Sequence, residues 1–362
     1  MHSRLLNFKL FYALLFLIPS SAVSQKTTLN SILAEIDFQE DSIRSVFDWV
    51  AQNISYEVQL VGEEPSAGST DEIIDYVLTS KQGVCRHYAE LFRALISEIG
   101  YEVYVVTGYT KDFNSLANVS HAWNAVKTSR GWFLYDPTWS SGHLEEGEFV
   151  RKADDLWYEV KPDEFIYTHV PFDPIWQLSN YPVIAKVKNV HLSLNLYLNY
   201  EDSIRTYSRM DSLESLKNEM HRVSHYSDSN FHVREHLSYL QKKEAYYETN
   251  ISIDLFNEAL DLYNEAVSLY NQYITSKNRY FRKPKKSIDE LNGLLSLARD
   301  KLSKVKAVIN ADYAQASIFD ESRSMVNENF NSVLKAVQKE LIFMKKCEHT
   351  WPPLRWFKFR SL

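Results

Sequence analysis

Three residues of this sequence could do covalent chemistry together: a thiol at Cys85, an imidazole at His121 and a carboxylate at Asp136. Cys85 follows Gly83-Val84 and opens a segment in which Tyr88, Phe92, Leu95 and Ile99 recur at helical spacing until Gly100 stops it. A thiol at a helix start lies among unpaired N–H groups at the positive end of the helix dipole. Such placement favours a thiolate, and the local N–H can hold an oxyanion as sulfur attacks a carbonyl. The nucleophile needs a base, and a carboxylate beside an imidazole fixes its tautomer and stabilises the imidazolium. His121 heads the strand-like run 121–126, and Asp136 closes the run 132–136. The turn Ser129-Arg130-Gly131 folds these runs into a hairpin that brings His121 and Asp136 together, to within a residue of register. The Cys85–His121 contact is expected from the chemistry, not from spacing.

The elements that must position this triad mix helix and strand. Ser42–Ile54 reads as an amphipathic helix with Ile43, Val46, Phe47 and Val50 on one face, followed by a loop over 63–70 and a short helix over 71–78. Strands are expected over 101–110, 120–128 and 132–136. From about residue 201 the pattern changes. Leu255, Ala259, Leu262, Ala266, Leu269 and Tyr273 form one helical stripe, and Phe256, Leu260, Tyr263, Val267, Tyr270 and Ile274 a second beside it. Ser287 with Glu290 reads as a capping box. Further helices are expected over 291–309 and 326–344.

Three ordered motifs, Gly83-Val84-Cys85, His121-Ala122-Trp123-Asn124 and Asp136-Pro137-Thr138-Trp139, resemble the transglutaminase-like superfamily with its papain-like Cys-His-Asp core. Phe47-Asp48-Trp49-Val50 and Asn53-Ile54-Ser55-Tyr56 add to the likeness. The stretches 165–171 and 173–178 look like the extension of its kyphoscoliosis-peptidase branch. The resemblance spans roughly residues 40–185. It implies an α+β, papain-like catalytic domain over 25–200 and does not extend to the helical half, whose apolar stripes read as an all-α helical bundle or coiled-coil domain over 201–362. It also implies a Cys thioester formed at a protein or peptide amide and resolved by water or by an amine. Cys85, His121 and Asp136 would be nucleophile, base and orienter. The calcium-binding elements of animal transglutaminases are not recognisable, so no metal and no cofactor is expected. The alternative is a catalytically silent binding or scaffolding protein acting through its helical domain, which is also the candidate surface for a protein partner.

Other chemistry-bearing residues have plainer readings. His87, two residues past Cys85, is turned away from it by the helix. His169 is expected to be structural. Trp123, Trp132 and Trp139 either edge a groove or pack the sheet. His232-Val233-Arg234-Glu235-His236 matches an H-x-x-E-H zinc pattern, with His221 and His225 four apart nearby. Its polar surroundings favour a solvated His-rich face. Lys277–Lys286 (KNRYFRKPKK) reads as a solvated loop, and the aromatic, basic tail over 351–359 as a segment folding back on the bundle.

Composition narrows the classes. A net charge of −7 gives no electrostatic footprint for nucleic acid. Residues 1–24 read as a signal peptide, with Arg4 and Lys9 ahead of an apolar run and small residues Ala22 and Ser24 before a cut at Gln25. Its removal would take the charge to −9. Export is therefore expected, to periplasm or medium, with no integral membrane span. Cys85 and Cys347 are the two cysteines. Either they pair across domains, or at least one is a free thiol, and the surroundings of Cys85 favour the second.

Overall fold

The computed structural model describes residues 29–61, 70–185, 191–193, 197–227, 230–279, 287–309, 320–350 and 355. The expected signal peptide, nearly all of the loop after residue 62, most of the basic run ending at Lys286 and nearly all of the aromatic tail lie outside them.

Helix α1 (29–35) and α2 (Ser42–Asn53) begin the first compact unit. Asp41 caps α2 by accepting from the N–H groups of Ile43 and Arg44. Ile43, Val46, Phe47 and Val50 are buried, as their spacing requires. Strand β1 (Ser55–Tyr56) pairs in parallel with β2 (Gln82–Gly83), and α3 (Thr70–Ser80) connects them. Helix α4 (Cys85–Glu98) follows directly and ends at Gly100, whose φ of +93° only glycine adopts without strain. Its apolar face, Tyr88, Leu91, Phe92 and Leu95, shares a core with α2 and with Val126 and Tyr135 of the sheet.

The sheet runs β5–β4–β3–β8, antiparallel throughout, from β3 (Glu102–Lys111), β4 (Leu116–Thr128), β5 (Gly131–Tyr135) and β8 (His169–Pro171). The β6–β7 ribbon (Gly142–Glu145, Glu148–Arg151) and helix α5 (Pro162–Phe165) occupy the long return to β8. The β4–β5 hairpin closes with Thr128 opposite Gly131, so the turn is Ser129-Arg130 and Gly131 is already strand, at φ +123°. Asn124 opposes Tyr135. Continuing that register puts Trp123, not His121, opposite Asp136, so the His–Asp pair is diagonal on one face rather than directly opposed.

Beyond the short β9–β10 ribbon (Val183–Ala185, His191–Ser193), helices α6 (Tyr200–Tyr207), α7 (Ser212–Tyr226) and the start of α8 (Phe231–Arg279) still belong to this unit, which runs to Glu244. The sequence reading divides the chain near residue 200. The unit extends further because Ile204 packs with Trp176 and Val106, and Val223 and Val233 pack with Tyr109 and Phe172. A buried ion pair reinforces this: Arg222 donates to both oxygens of Asp173 at 2.6–3.1 Å.

The second unit begins at Ala245. The rest of α8, α9 (Ile288–Ile309) and α10 (Asp320–Glu348) build one apolar core from Tyr263, Ala266 and Tyr273, Leu291, Leu295 and Leu302, and Val333, Val337 and Met344. Ser287 and Glu290 form the expected reciprocal cap. Tyr273 and Lys277 both donate to Glu340 at 2.7 Å inside this core, a buried polar node among apolar stripes. No helix among the described residues is long and apolar enough to cross a membrane.

Candidate active site

Cys85 is the first residue of α4, and two buried hydrogen bonds fix where that helix begins. Tyr88 Oη donates to the Ile54 carbonyl at 2.7 Å, tying α4 to the strand after α2. Asn124 Nδ2 donates to the Ala89 carbonyl at 2.9 Å, tying α4 to β4 three residues from His121. His87 completes the helix start: its Nδ1 accepts from the Val84 N–H at 3.3 Å. Burial holds its pKa below the usual histidine value, which keeps that nitrogen an acceptor. Its ring crosses Gly83, where a Cβ would lie 2.4 Å from His87 Cβ. His87 is therefore a cap of the helix start, a role the sequence reading did not give it.

Neither cysteine is in a disulfide: Cys85 is a partly exposed thiol and Cys347 is buried. The three residues named from the sequence are brought together. His121 Nε2 lies 2.6 Å from Asp136 Oδ2, and its ring also engages the Cys85 side chain, which falls to the remaining nitrogen, Nδ1. Asp136 is fully buried and accepts four hydrogen bonds. Oδ2 takes His121 and His169, the latter at 3.2 Å. Oδ1 takes the N–H groups of Thr138 (2.9 Å) and Trp139 (3.1 Å) at the turn after Pro137. Burial alone would raise its pKa, but the His121 charge and these donors outweigh it and hold the carboxyl well below the usual range. Burial likewise opposes a charge on His121. Asp136 and Cys85 overcome it and push the imidazole up to about 10.

His169 is the residue the sequence undervalued. It is 1% exposed, stacked on Phe165 at 4.0 Å and packed between Trp139 and Trp157. Burial lowers its pKa to about 4 against the pull of Asp136, so it is neutral. Its Nε2–H serves Asp136 and its Nδ1 faces Thr168 Oγ1 at 2.8 Å. The signal available in sequence was weak, because β8 is only three residues long and its pairing with β3 is a tertiary event. Tyr56 is a second omission. It pairs with Gly83 across β1–β2. Burial, then the charge of Cys85, and those of Tyr88 and Asp136, push its phenol well above tyrosine's usual range, so it keeps its proton. Of the tryptophans, Trp123 and Trp132 pack the core, and half-buried Trp139 lies 5.6 Å from the His121 ring.

Among the described residues one trio, His121, Asp136 and His169, could offer ligand atoms to a metal, all within 4.8 Å. Two ligands of one tetrahedral zinc stand about 3.4 Å apart. The 2.6 Å His121–Asp136 separation is too short for that and fits a charge-assisted hydrogen bond. The H-x-x-E-H residues differ from the solvated face read in the sequence. His232 and His236 are buried. His232 Nε2 meets the Ala117 carbonyl at 2.7 Å and its ring stacks on Tyr109. His236 Nε2 meets Glu219 at 2.8 Å and its ring stacks on Phe172. His232 docks α8 onto the sheet, and His236 docks it onto α7 and the Phe172 that follows β8. His221 and His225 do lie on an exposed face, stacked at 4.3 Å.

The transglutaminase-like superfamily model matches residues 26–137, which contain Cys85, His121 and Asp136 and stop short of His169. The chain is 29% identical over 178 residues to kyphoscoliosis peptidase of Mus musculus, covering 45% of this chain and 26% of that protein. It is 25% identical over 169 residues to cytokinesis protein 3 of Schizosaccharomyces pombe, covering 43% and 18%. It is 23% identical over 184 residues to Hillarin of Drosophila melanogaster, covering 44% and 21%. The chain thus spans about a quarter or less of these relatives' length. An antiparallel sheet against a helix that opens on a cysteine, together with this family model over residues 26–137 and these relatives, supports assigning the first unit to the transglutaminase-like superfamily.

Proposed function

We propose that the first unit is a cysteine enzyme that attacks the carboxamide or peptide bond of a protein or peptide. The observation that carries this reading is the His121 ring held between Cys85 and a fully buried Asp136. His121 keeps its proton at neutral pH, and an imidazolium beside the sulfur favours the thiolate. The sulfur adds to the carbonyl carbon. The oxyanion so formed is met by the N–H at the start of α4, with the protonated Tyr56 phenol as a second donor. The C–N bond then breaks, the amine leaves with the proton from His121, and a thioester remains. Water or a second amine next gives its proton back to His121 and attacks the thioester, releasing acid or a new amide and restoring the sulfur. Export of the enzyme belongs to the same proposal and rests on the pattern of residues 1–24.

The test has two arms. A thiol-directed electrophile should label Cys85 and leave buried Cys347 untouched, as read by peptide mass. A glutamine-bearing protein incubated with a primary amine should gain the amine by transfer, or lose ammonia or be cut by hydrolysis, and Cys85→Ala should abolish either. Turnover that survives Cys85→Ala, or labelling of Cys347 in preference to Cys85, would overturn the proposal.

A further inference from the structure

Lys111 is a buried cation that nothing in the described protein balances. It closes β3 just past the irregularity after Tyr109, and it is 3% exposed. Its Nζ is sealed from solvent and has no hydrogen-bond partner among the described residues. Burial alone pushes its pKa below the lysine value, with no carboxylate close enough to oppose it.

Its surroundings locate a second group of the same kind. The Lys111 N–H donates to the Thr168 carbonyl at 2.8 Å, which places it where β3 meets the segment entering β8. The neighbouring Tyr167 ring holds the His191 ring at 4.9 Å. His191 Nε2 is also sealed from solvent and has no hydrogen-bond partner among the described residues. Burial, and then the Lys111 charge, hold the His191 pKa down, so the two groups sense each other. A buried ammonium with no partner is among the costliest arrangements a chain can keep. Two groups that can both donate, each without an acceptor among the described residues, are complementary to an anion with several acceptor oxygens.

We propose that Lys111 Nζ and His191 Nε2 form a binding site for a small oxyanion, a carboxylate or phosphate group, at the corner between β3 and β10. The site is separate from the thiol chemistry and does not depend on it. It accounts for a lysine that would otherwise be a cost without compensation.

The test uses the full chain. Thermal unfolding is followed while sodium phosphate, or in a parallel arm sodium acetate, replaces sodium chloride at constant ionic strength. The wild type should show a saturable rise in Tm in at least one arm, and the arm with the larger rise identifies the preferred oxyanion. Lys111→Met keeps the aliphatic stem and removes the charge. It should need at least tenfold more anion for the same rise, or show none. His191→Gln, a milder change that tests the site should Lys111→Met fail to fold, should weaken the response severalfold. The site is refuted if neither anion exceeds chloride, or if both variants titrate as the wild type does and the effect is that of an adventitious ion only.

Discussion

Replacing Asp136 by Asn separates what the carboxylate does for the fold from what it does for the chemistry. Asp136 meets four donors: two imidazole N–H groups on Oδ2 and two backbone N–H groups on Oδ1. An amide can keep the two backbone bonds with its oxygen, but it must then point its NH2 at His121 and His169. Both rings can accept by moving their protons to Nδ1. For His169 this turns the proton toward Thr168 Oγ1, which can accept it. For His121 it puts the proton on the nitrogen that faces Cys85, so the ring can neither take a proton from the thiol there nor carry a positive charge beside it. With a bond to a charged carboxylate, worth about 1.5–3 kcal/mol, exchanged on each ring for a neutral one of about 1 kcal/mol, the variant should fold with a loss of about 1–4 kcal/mol. Its turnover should fall by about 10⁴-fold, the loss seen for a triad whose base is held in the wrong tautomer. The substrate-independent assay is alkylation of Cys85 by iodoacetamide as a function of pH. In the wild type, where His121 holds its proton up to about pH 10, the rate should change less than about threefold between pH 6 and 8. In Asp136→Asn it should climb about tenfold per pH unit, as for an ordinary thiol of pKa ~8.5. A variant whose profile stays flat would refute the assignment of Asp136 as the group that keeps His121 charged.

His169 has a folded pKa of about 4 against about 6.5 when unfolded, so its contribution is fully present above pH 6.5 and is lost as pH falls toward 4, a change of about 3 kcal/mol. His169→Gln offers Asp136 a donor that does not titrate, and urea denaturation at pH 7 and 4.5 should show that its stability falls less over this window. Parallel curves for the two proteins would count against the neutral, donating His169. Gly108→Ala should destabilise by about 1–3 kcal/mol and depress activity. A Cβ there lies 2.1 Å from the Val170 carbonyl and 2.5 Å from Trp123 Cη2, so β8 must move, and with it His169. Circular dichroism melts with parallel Cys85 labelling read both effects, and an unchanged Tm would contradict the close approach.

The residues that can act were legible because each sits where a local pattern ends. A helix begins at Cys85, after a glycine that leaves room for the His87 cap, and a hairpin turn is announced by Ser129-Arg130-Gly131. Local patterns also gave the helical stripes of the second unit and its Ser287–Glu290 cap. The diagonal register was not legible, because whether Gly131 belongs to turn or strand moves the pairing by one residue and no local property decides it. Nor was the extent of the first unit. Ile204, Val223 and Val233 look like ordinary helix positions, and only the exposed edge of the sheet, with Tyr109, Phe172 and Trp176, tells them what to cover.

The two histidine sets show why residue spacing alone overstates chemistry. His232 and His236 have the spacing of zinc ligands, yet each Nε2 is spent on a different partner, a carbonyl and a carboxylate, and each ring is stacked on a different aromatic. His121 and His169 share no motif, and their alignment is set by two strands on opposite sides of β3. Both turn Nε2 onto a single carboxylate oxygen. What separates the pairs is which atom is left over. The docking histidines hold α8 in place, His232 against the sheet and His236 against α7 and Phe172. His121 keeps Nδ1 for a sulfur that is itself free and partly exposed. His169 is neutral, so it can orient Asp136 without competing for the charge that His121 must carry. A second imidazolium on the same oxygen would draw the carboxylate away from His121. The apolar cage of Phe165, Trp139 and Trp157 keeps His169 uncharged and so keeps Asp136 committed to the ring beside the nucleophile.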